Sequence, residues 1–235
     1  MSSVAYYKGR VAEFLLEPYQ NATARLAIPP QAVPRPGQYL QAWSPNDELE
    51  AVPRSLFAAG PVERKSATEV SLPVLAALPA SWQPGTPLNL RGPLGRGFEL
   101  PRRARRVALA ALGSSPGRLL PLVPAAIKQG AEVVVCCETP VRELPLAVEL
   151  RGLDGLAEAL RWADFVVLDV PLESLERLNG KLSRIPRTVS GQVLVLTPMP
   201  CGGLAKCGVC SLATESGARL ACEDGPVFEL GQLVI

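Results

Sequence analysis

Histidine is absent from this chain of 235 residues. That absence removes Ser-His-Asp and Cys-His catalysis, and with them every mixed Cys/His zinc site. An excess of one charge is also missing: 24 lysines and arginines face 22 aspartates and glutamates. Near-neutrality removes any general electrostatic argument for a nucleic-acid or anionic membrane partner. No apolar run reaches the roughly 18 to 20 residues needed to span a bilayer. The opening "MSSVAYYKGRVAEF" has neither an apolar segment nor a small-residue cleavage site. The expectation is a soluble, cytoplasmic chain. Apolar residues make up 48% of it, enough for real cores without disulfides. In a reducing compartment, its cysteines are then better read as metal ligands or redox centres.

Short apolar or alternating runs fill the first hundred residues: "VAYYKGRVAEFLL", "ATARLAIP", "QYLQAW", "TEVSLPVL" and "PLNLRG". Proline and glycine punctuate them, as in "PQAVPRPG" and "WQPGTP". This pattern predicts an antiparallel barrel or sandwich. After "LPRRARR" (Leu100 to Arg106) the rhythm changes. Buried-strand patterns ("RVALAAL", "AEVVVCCE", "DFVVLDVP", "QVLVLTP") alternate with helical ones ("GSSPGRLLPLVPAAIKQG", "DGLAEALRWA", "ESLERLN"). That alternation predicts an open parallel α/β sheet. In the first helical stretch Ser115 is the expected N-cap, Pro116 the first helical residue and Gly130 the residue just past the end. The predicted fold class is thus α+β and multi-domain: residues 1–100 all-β, 101–198 parallel α/β, and 199–235 a loop organised by something other than a core. The basic "RRARR" reads as a solvated connector.

Four of the six cysteines fall in the tail, as Cys201, Cys207, Cys210 and Cys222, with gaps of five, two and eleven residues. Thiolates are soft ligands that suit iron–sulfur clusters, zinc and cuprous copper. Gly202, Gly203 and Gly208 separate the first three, so the backbone can curl and aim amides at sulfur. The plan is close to that of plant-type ferredoxins, with one extra residue in the first gap. Structural zinc is the rival, although only Cys207 and Cys210 form a close pair. Cys136 and Cys137, inside "AEVVVCCE", read as small buried hydrophobes.

At "CGGLAKCGVC…ARLACEDGPVFEL" the sequence resembles the electron-transfer subunit of the two-subunit, NAD-linked dihydroorotate dehydrogenases, in the ferredoxin-reductase superfamily. "RPGQYLQAW" (Arg35 to Trp43) is similar to that family's PGQF strand, and "RGPLGRGFEL" (Arg91 to Leu100) to its GPLGNGF segment. The resemblance implies a flavin-binding β-barrel over 1–100, an NAD(P)-binding-like α/β domain over 101–198 and a 2Fe–2S segment over 199–235. It also implies that Cys201, Cys207, Cys210 and Cys222 are the cluster ligands. The family holds FAD on an Arg-x-x-Ser or Arg-x-Tyr-Ser strand. Here "VPRSLFAAG" supplies Arg54 for the pyrophosphate and Ser55 beside it, with Phe57 in the serine's place. Gly92 and Gly95 are the corresponding glycines of the barrel-closing segment. The family's Gly-x-Gly-Thr phosphate turn has no counterpart between Gly60 and Leu78. Of its glycine-rich nucleotide turn, "ALGSSPGRLLPL" keeps Gly113 and Gly117. Ser114 and Ser115 there suit either a phosphate or a plain helix cap.

Three functions stand as expectations. The first is an oxidoreductase component, not a complete enzyme. FAD would take electrons from NAD(P)H, and a 2Fe–2S cluster would pass them singly to a catalytic, flavin-containing dehydrogenase subunit in a heteromer, in pyrimidine biosynthesis. The second is a cluster-only relay that has lost FAD or NAD(P)H binding. The third is a non-redox interaction module stabilised by zinc.

Overall fold

The computed structural model describes residues 4–15, 23–47, 52–113, 115–139, 141, 144–175 and 189–234. Seven strands form the first sheet: β1 (Tyr6–Phe14), β2 (Ala24–Ile28), β3 (Tyr39–Trp43), β4 (Arg54–Ala58), β5 (Glu63–Arg64), β6 (Val70–Leu75) and β7 (Pro87–Leu94). Their order is β2-β1-β7-β3-β4-β6-β5, and β2 also pairs with β6. Six antiparallel strands therefore close into a barrel, leaving β5 as a flap on β6. Closure removes the exposed edges that an open sheet of this size would present. Leu26, Leu40, Leu56, Leu72, Leu90 and Trp82 fill the interior.

The second sheet runs β10-β9-β8-β11-β12-β15. Its strands are β8 (Arg106–Ala111), β9 (Glu132–Cys136), β10 (Val148–Arg151), β11 (Phe165–Pro171), β12 (Ser190–Leu196) and β15 (Val227–Glu229). The first five are parallel, and β15 joins the edge antiparallel to β12. The order reverses between β8 and β11, which makes that crevice the topological switch point. Cys136 and Cys137 are buried, as the sequence predicts.

Three expectations need correction. The stretch after β8 is not one long helix. It forms two 3-10 turns (Pro116–Arg118 and Leu120–Leu122) and then a six-residue helix, α1 (Val123–Lys128). Pro121 and Pro124 lack the N–H that a continuous helix needs, and their rings collide with the carbonyl four residues back. The helix does end as expected: the Gly130 and Ala131 amides donate to the carbonyls of Ile127 and Ala126, a Schellman pattern. The second correction concerns the tail, which is not a plain loop. It builds a hairpin, β13 (Ser211–Thr214) with β14 (Gly217–Leu220), and delivers β15 to the α/β sheet. The third is that the edge strand β10 has no counterpart among the predicted runs. The helix α2 (Leu156–Trp162) stands where "DGLAEALRWA" places it. The predicted helix at "ESLERLN" runs into 176–188, outside the described residues. No helix among the described residues is long and apolar enough to cross a membrane.

Candidate functional site

Three motifs far apart in sequence converge where barrel, α/β sheet and tail meet. The Gln38 side chain donates to the Gly95 carbonyl at 3.0 Å. Arg96 donates its amide to the Gly225 carbonyl and forms a bridge with Pro226. Gly95 adopts φ +74°, and a Cβ there would stand 2.5 Å from Pro226 Cδ. A Cβ on Gly92 would stand 2.8 Å from Leu40 Cδ2. These two glycines let protein segments approach one another, which accounts for them without a cofactor. Tyr39 is sealed in the same junction and packs on Phe57 with ring centroids 5.7 Å apart.

The cysteines sit beside this junction. Cys207 Sγ lies 3.8 Å from Cys201 Sγ, and Cys210 Sγ lies 3.2 Å from Cys222 Sγ. Cys210 and Cys222 are buried, Cys201 is half-buried and Cys207 is exposed. Cys222 lies in the short helix α3 (Ala221–Asp224), and the Ala221 amide donates to the Cys210 carbonyl at 3.0 Å, which ties the second pair together. Among the described residues, no three His, Cys, Asp or Glu side chains already stand in a metal-binding arrangement. The sulfurs are gathered as two close pairs instead. A tetrahedral metal with sulfur at about 2.3 Å holds its ligand sulfurs about 3.8 Å apart. The first pair matches that edge, and the second needs to open slightly. Burial works against ionisation of Cys201. Hydrogen bonds from the backbone at Ala205 and Gly203 and from Cys207 and Cys222 outweigh it and bring the thiol to about 7. Burial, then the neighbouring Cys210, pushes Cys222 up to about 12. Metal binding therefore has to displace the Cys222 proton against that upward shift.

Two residues that the sequence reading passed over hold this loop. Gln41 and Arg91 are cross-strand partners on β3 and β7, and both are buried. Arg91 Nη1 donates to Gln41 Oε1 at 2.8 Å, to the Gly202 carbonyl at 3.1 Å and to the Cys201 carbonyl at 3.4 Å. Gln41 Nε2 donates to the carbonyls of Met199 and Pro200. Gly202, at φ +53°, presses against Gln41; a Cβ would lie 2.4 Å from its Cδ. The available signal was a polar residue flanked by buried apolar ones, in "YLQAW" and "LNLRG".

The remaining candidates are dispersed. Arg54 and Ser55 are half-buried at the start of β4, and Phe57 is buried in the core. The segment after Gly60 forms the β5–β6 hairpin, whose Glu63 pairs with Arg25 and Lys65 and whose Glu69 pairs with Arg10. The turn amides there are already taken up, those of Lys65 and Ser66 by the Glu69 carbonyl and that of Thr68 by Ser66 Oγ, so the fit to a flavin dinucleotide is partial. Ser114 lies outside the described residues. The Gly117 amide is taken up by Ser115 Oγ at 3.3 Å, and Arg118 turns inward to Asp169 at 2.8 Å. Ser115 therefore caps a 3-10 turn, not a helix start aimed at an anion, and these residues do not fit a nucleotide pyrophosphate. A cavity of about 300 Å³ lies between Arg35, Arg96, Glu99, Gln192 and Glu229; of the candidate residues Gly95 lines it, and Arg54, Ser55, Gly92, Gly113 and Gly117 do not.

A closed six-stranded antiparallel barrel followed by this sheet is the ferredoxin-reductase fold. A chain of the NADH-dependent reduced ferredoxin-NADP oxidoreductase shares it with a TM-score of 0.69 and 16% identity, over 97% of this chain and 90% of that one. In sequence, the chain is 25% identical to the dihydroorotate dehydrogenase B (NAD(+)) electron transfer subunit of Clostridium acetobutylicum, over 92% of this chain and 93% of that protein. It is 26% identical to the probable subunit of the same name from Thermoplasma acidophilum, over 85% of this chain and 80% of that protein. The resemblance read from the motifs is thereby borne out. No protein-family model matches the chain.

Proposed function

We propose that this chain is the electron-transfer subunit of a two-component oxidoreductase, with a 2Fe–2S cluster on Cys201, Cys207, Cys210 and Cys222 and a flavin-containing, dihydroorotate-oxidising type of dehydrogenase as partner. The observation that carries the reading is the pairing of four thiols from three backbone segments in a chain without histidine. A bound cluster supplies one-electron transfer. Cys201 and Cys207 would hold one iron, and Cys210 and Cys222 the other. The chain's own part is to fix the loop on the barrel through Gln41 and Arg91, to bury one pair of thiols and to leave the Cys207 side open to the partner. Exposed Leu204 and Val209 flank that opening. Similarity to subunits of this name supports the choice of partner. If FAD binds, Arg54 is the residue to meet its pyrophosphate, with Ser55 next to it. In this reading, residues 1–100, 101–198 and 199–235 serve as barrel, α/β lobe and cluster segment.

A second reading, a relay that receives electrons from another protein, is favoured by the closed turn at Gly117 and Arg118. One anaerobic preparation separates the two. Iron and acid-labile sulfide with a paramagnetic signal on reduction support both readings. Released FAD and bleaching by NADH or NADPH select the first, and their absence selects the second. A colourless protein holding one zinc overturns both.

A further inference from the structure

A buried arginine normally sits opposite a carboxylate, because an uncompensated charge in a low-dielectric interior is strongly disfavoured. Arg91 is 5% exposed, and no carboxylate forms an ion pair with it among the described residues. Its Nη1 meets three neutral oxygens: Gln41 Oε1 and the carbonyls of Cys201 and Gly202. Its Nε is buried with no hydrogen-bond partner at all. The guanidinium is thus pinned against the backbone of the first cysteine with its charge unanswered. Tyr39 lies within electrostatic reach of Arg91 and of Cys201, Cys210 and Cys222 alike, so the arginine and the thiols share one neighbourhood.

We infer that Arg91 is the counter-charge of the four-thiolate site and sets the reduction potential of the cluster held there. This rests on the cluster reading above. Two ferric ions, two sulfides and four thiolates carry a net double negative charge, which becomes triple on one-electron reduction. A fixed cation buried beside the site stabilises the triple charge more than the double one and so raises the potential. Arg91 is a positioning residue as well, because the same nitrogen holds the Cys201–Gly202 backbone. Gln41 orients it from the cross-strand position.

The test is a redox titration followed by electron paramagnetic resonance on the full-length protein, wild type against Arg91→Met, Arg91→Lys and Gln41→Glu. Arg91→Met should shift the reduction equilibrium at least tenfold toward the oxidised form, which is about 59 mV for one electron. Arg91→Lys, which keeps the charge, should stay within about threefold of wild type, or about 28 mV. Gln41→Glu keeps the side-chain size and neutralises Arg91 at the loss of the Nε2 bonds to Met199 and Pro200, and it should move the potential in the same direction as Arg91→Met. It also decides the matter if Arg91→Met fails to fold or load. Wild-type protein loaded with a cluster, and neutralised variants within threefold of its potential, would overturn this inference and leave the cluster reading standing. Zinc in place of iron in the wild type overturns both.

Discussion

Arg118 reaches Asp169 across the switch point of the sheet, Nε to Oδ2 at 2.8 Å, with both side chains sealed from solvent. Asp169 sits on β11 between Ala111 of β8 and Leu194 of β12. In many open α/β proteins this crevice is where a ligand lies. Here an internal ion pair occupies the strand ends instead.

Removing one member of such a pair strands the other. Asp169→Ala should cost about 3 to 5 kcal/mol in urea unfolding, and the double change Arg118→Met with Asp169→Leu should recover most of it. The pH dependence comes from the direction of the shift. Burial raises the Asp169 pKa above its ordinary 3.8, and Arg118 opposes that rise. In Arg118→Met the opposition is gone. A carboxyl with a raised folded pKa favours the fold below its unfolded pKa and loses that contribution as pH rises through the folded value. The deficit of Arg118→Met relative to wild type should therefore grow from acid toward neutral pH. A flat difference would refute the assignment.

Gly95 and Gly113 separate clash from backbone strain. Both adopt positive φ, yet among the described residues a Cβ at Gly113 meets nothing nearer than 3.9 Å, at Pro171 Cγ. Gly113→Ala should cost about 1 to 2 kcal/mol for its left-handed backbone alone. Gly95→Ala adds the collision with Pro226 and should cost about 1 to 3 kcal/mol more. Thermal unfolding of the two variants side by side reads the difference.

Cys136 tests whether burial or chemistry governs each thiol. Burial pushes its pKa up to about 11, and it lies in β9, a strand of the α/β sheet remote in sequence from the tail. Cys136→Ala should leave iron and sulfide content unchanged and lower stability by about 1 kcal/mol. Cys210→Ser should abolish normal loading. Loss of iron in Cys136→Ala would count against the four-cysteine assignment.

Glu69 on the barrel titrates below the ordinary 4.5 because Arg10 hydrogen-bonds its carboxylate. A depressed folded pKa gives a contribution that is present above the unfolded value and fades as pH falls through the folded one. Arg10→Met should move the Glu69 midpoint upward toward 4.5 in a carboxyl NMR titration. An unmoved midpoint would mean that the pair does not persist in solution.

Much of the architecture is legible because it rests on local signals. Short runs bounded by turn residues, such as "QYLQAW" after Pro36-Gly37, and continuous apolar runs such as "RVALAAL" mark strands whatever their partners are. The four tail cysteines announce themselves by spacing. Arg91 does not, because its meaning depends on Gly202, which is distant in sequence, and no window along the chain contains both. The broken helix after β8 escapes for another reason: the cap at Ser115 and the stop at Gly130 are sound, but Pro121 and Pro124 between them outweigh both. β10 escapes because its four residues are at most partly buried, so "VELR" lacks the strong apolar pattern of its neighbours.

The tail leaves the α/β sheet after β12, is fastened to the barrel at Met199 to Gly202, and returns to the same sheet through β15. It is therefore a stitch passed through both lobes, with the thiols on the thread. Any hinge opening between barrel and sheet would tug directly on the sulfur pairs. Metal retention under shear, denaturant or partner binding thus becomes a gauge of how firmly the two lobes stay closed.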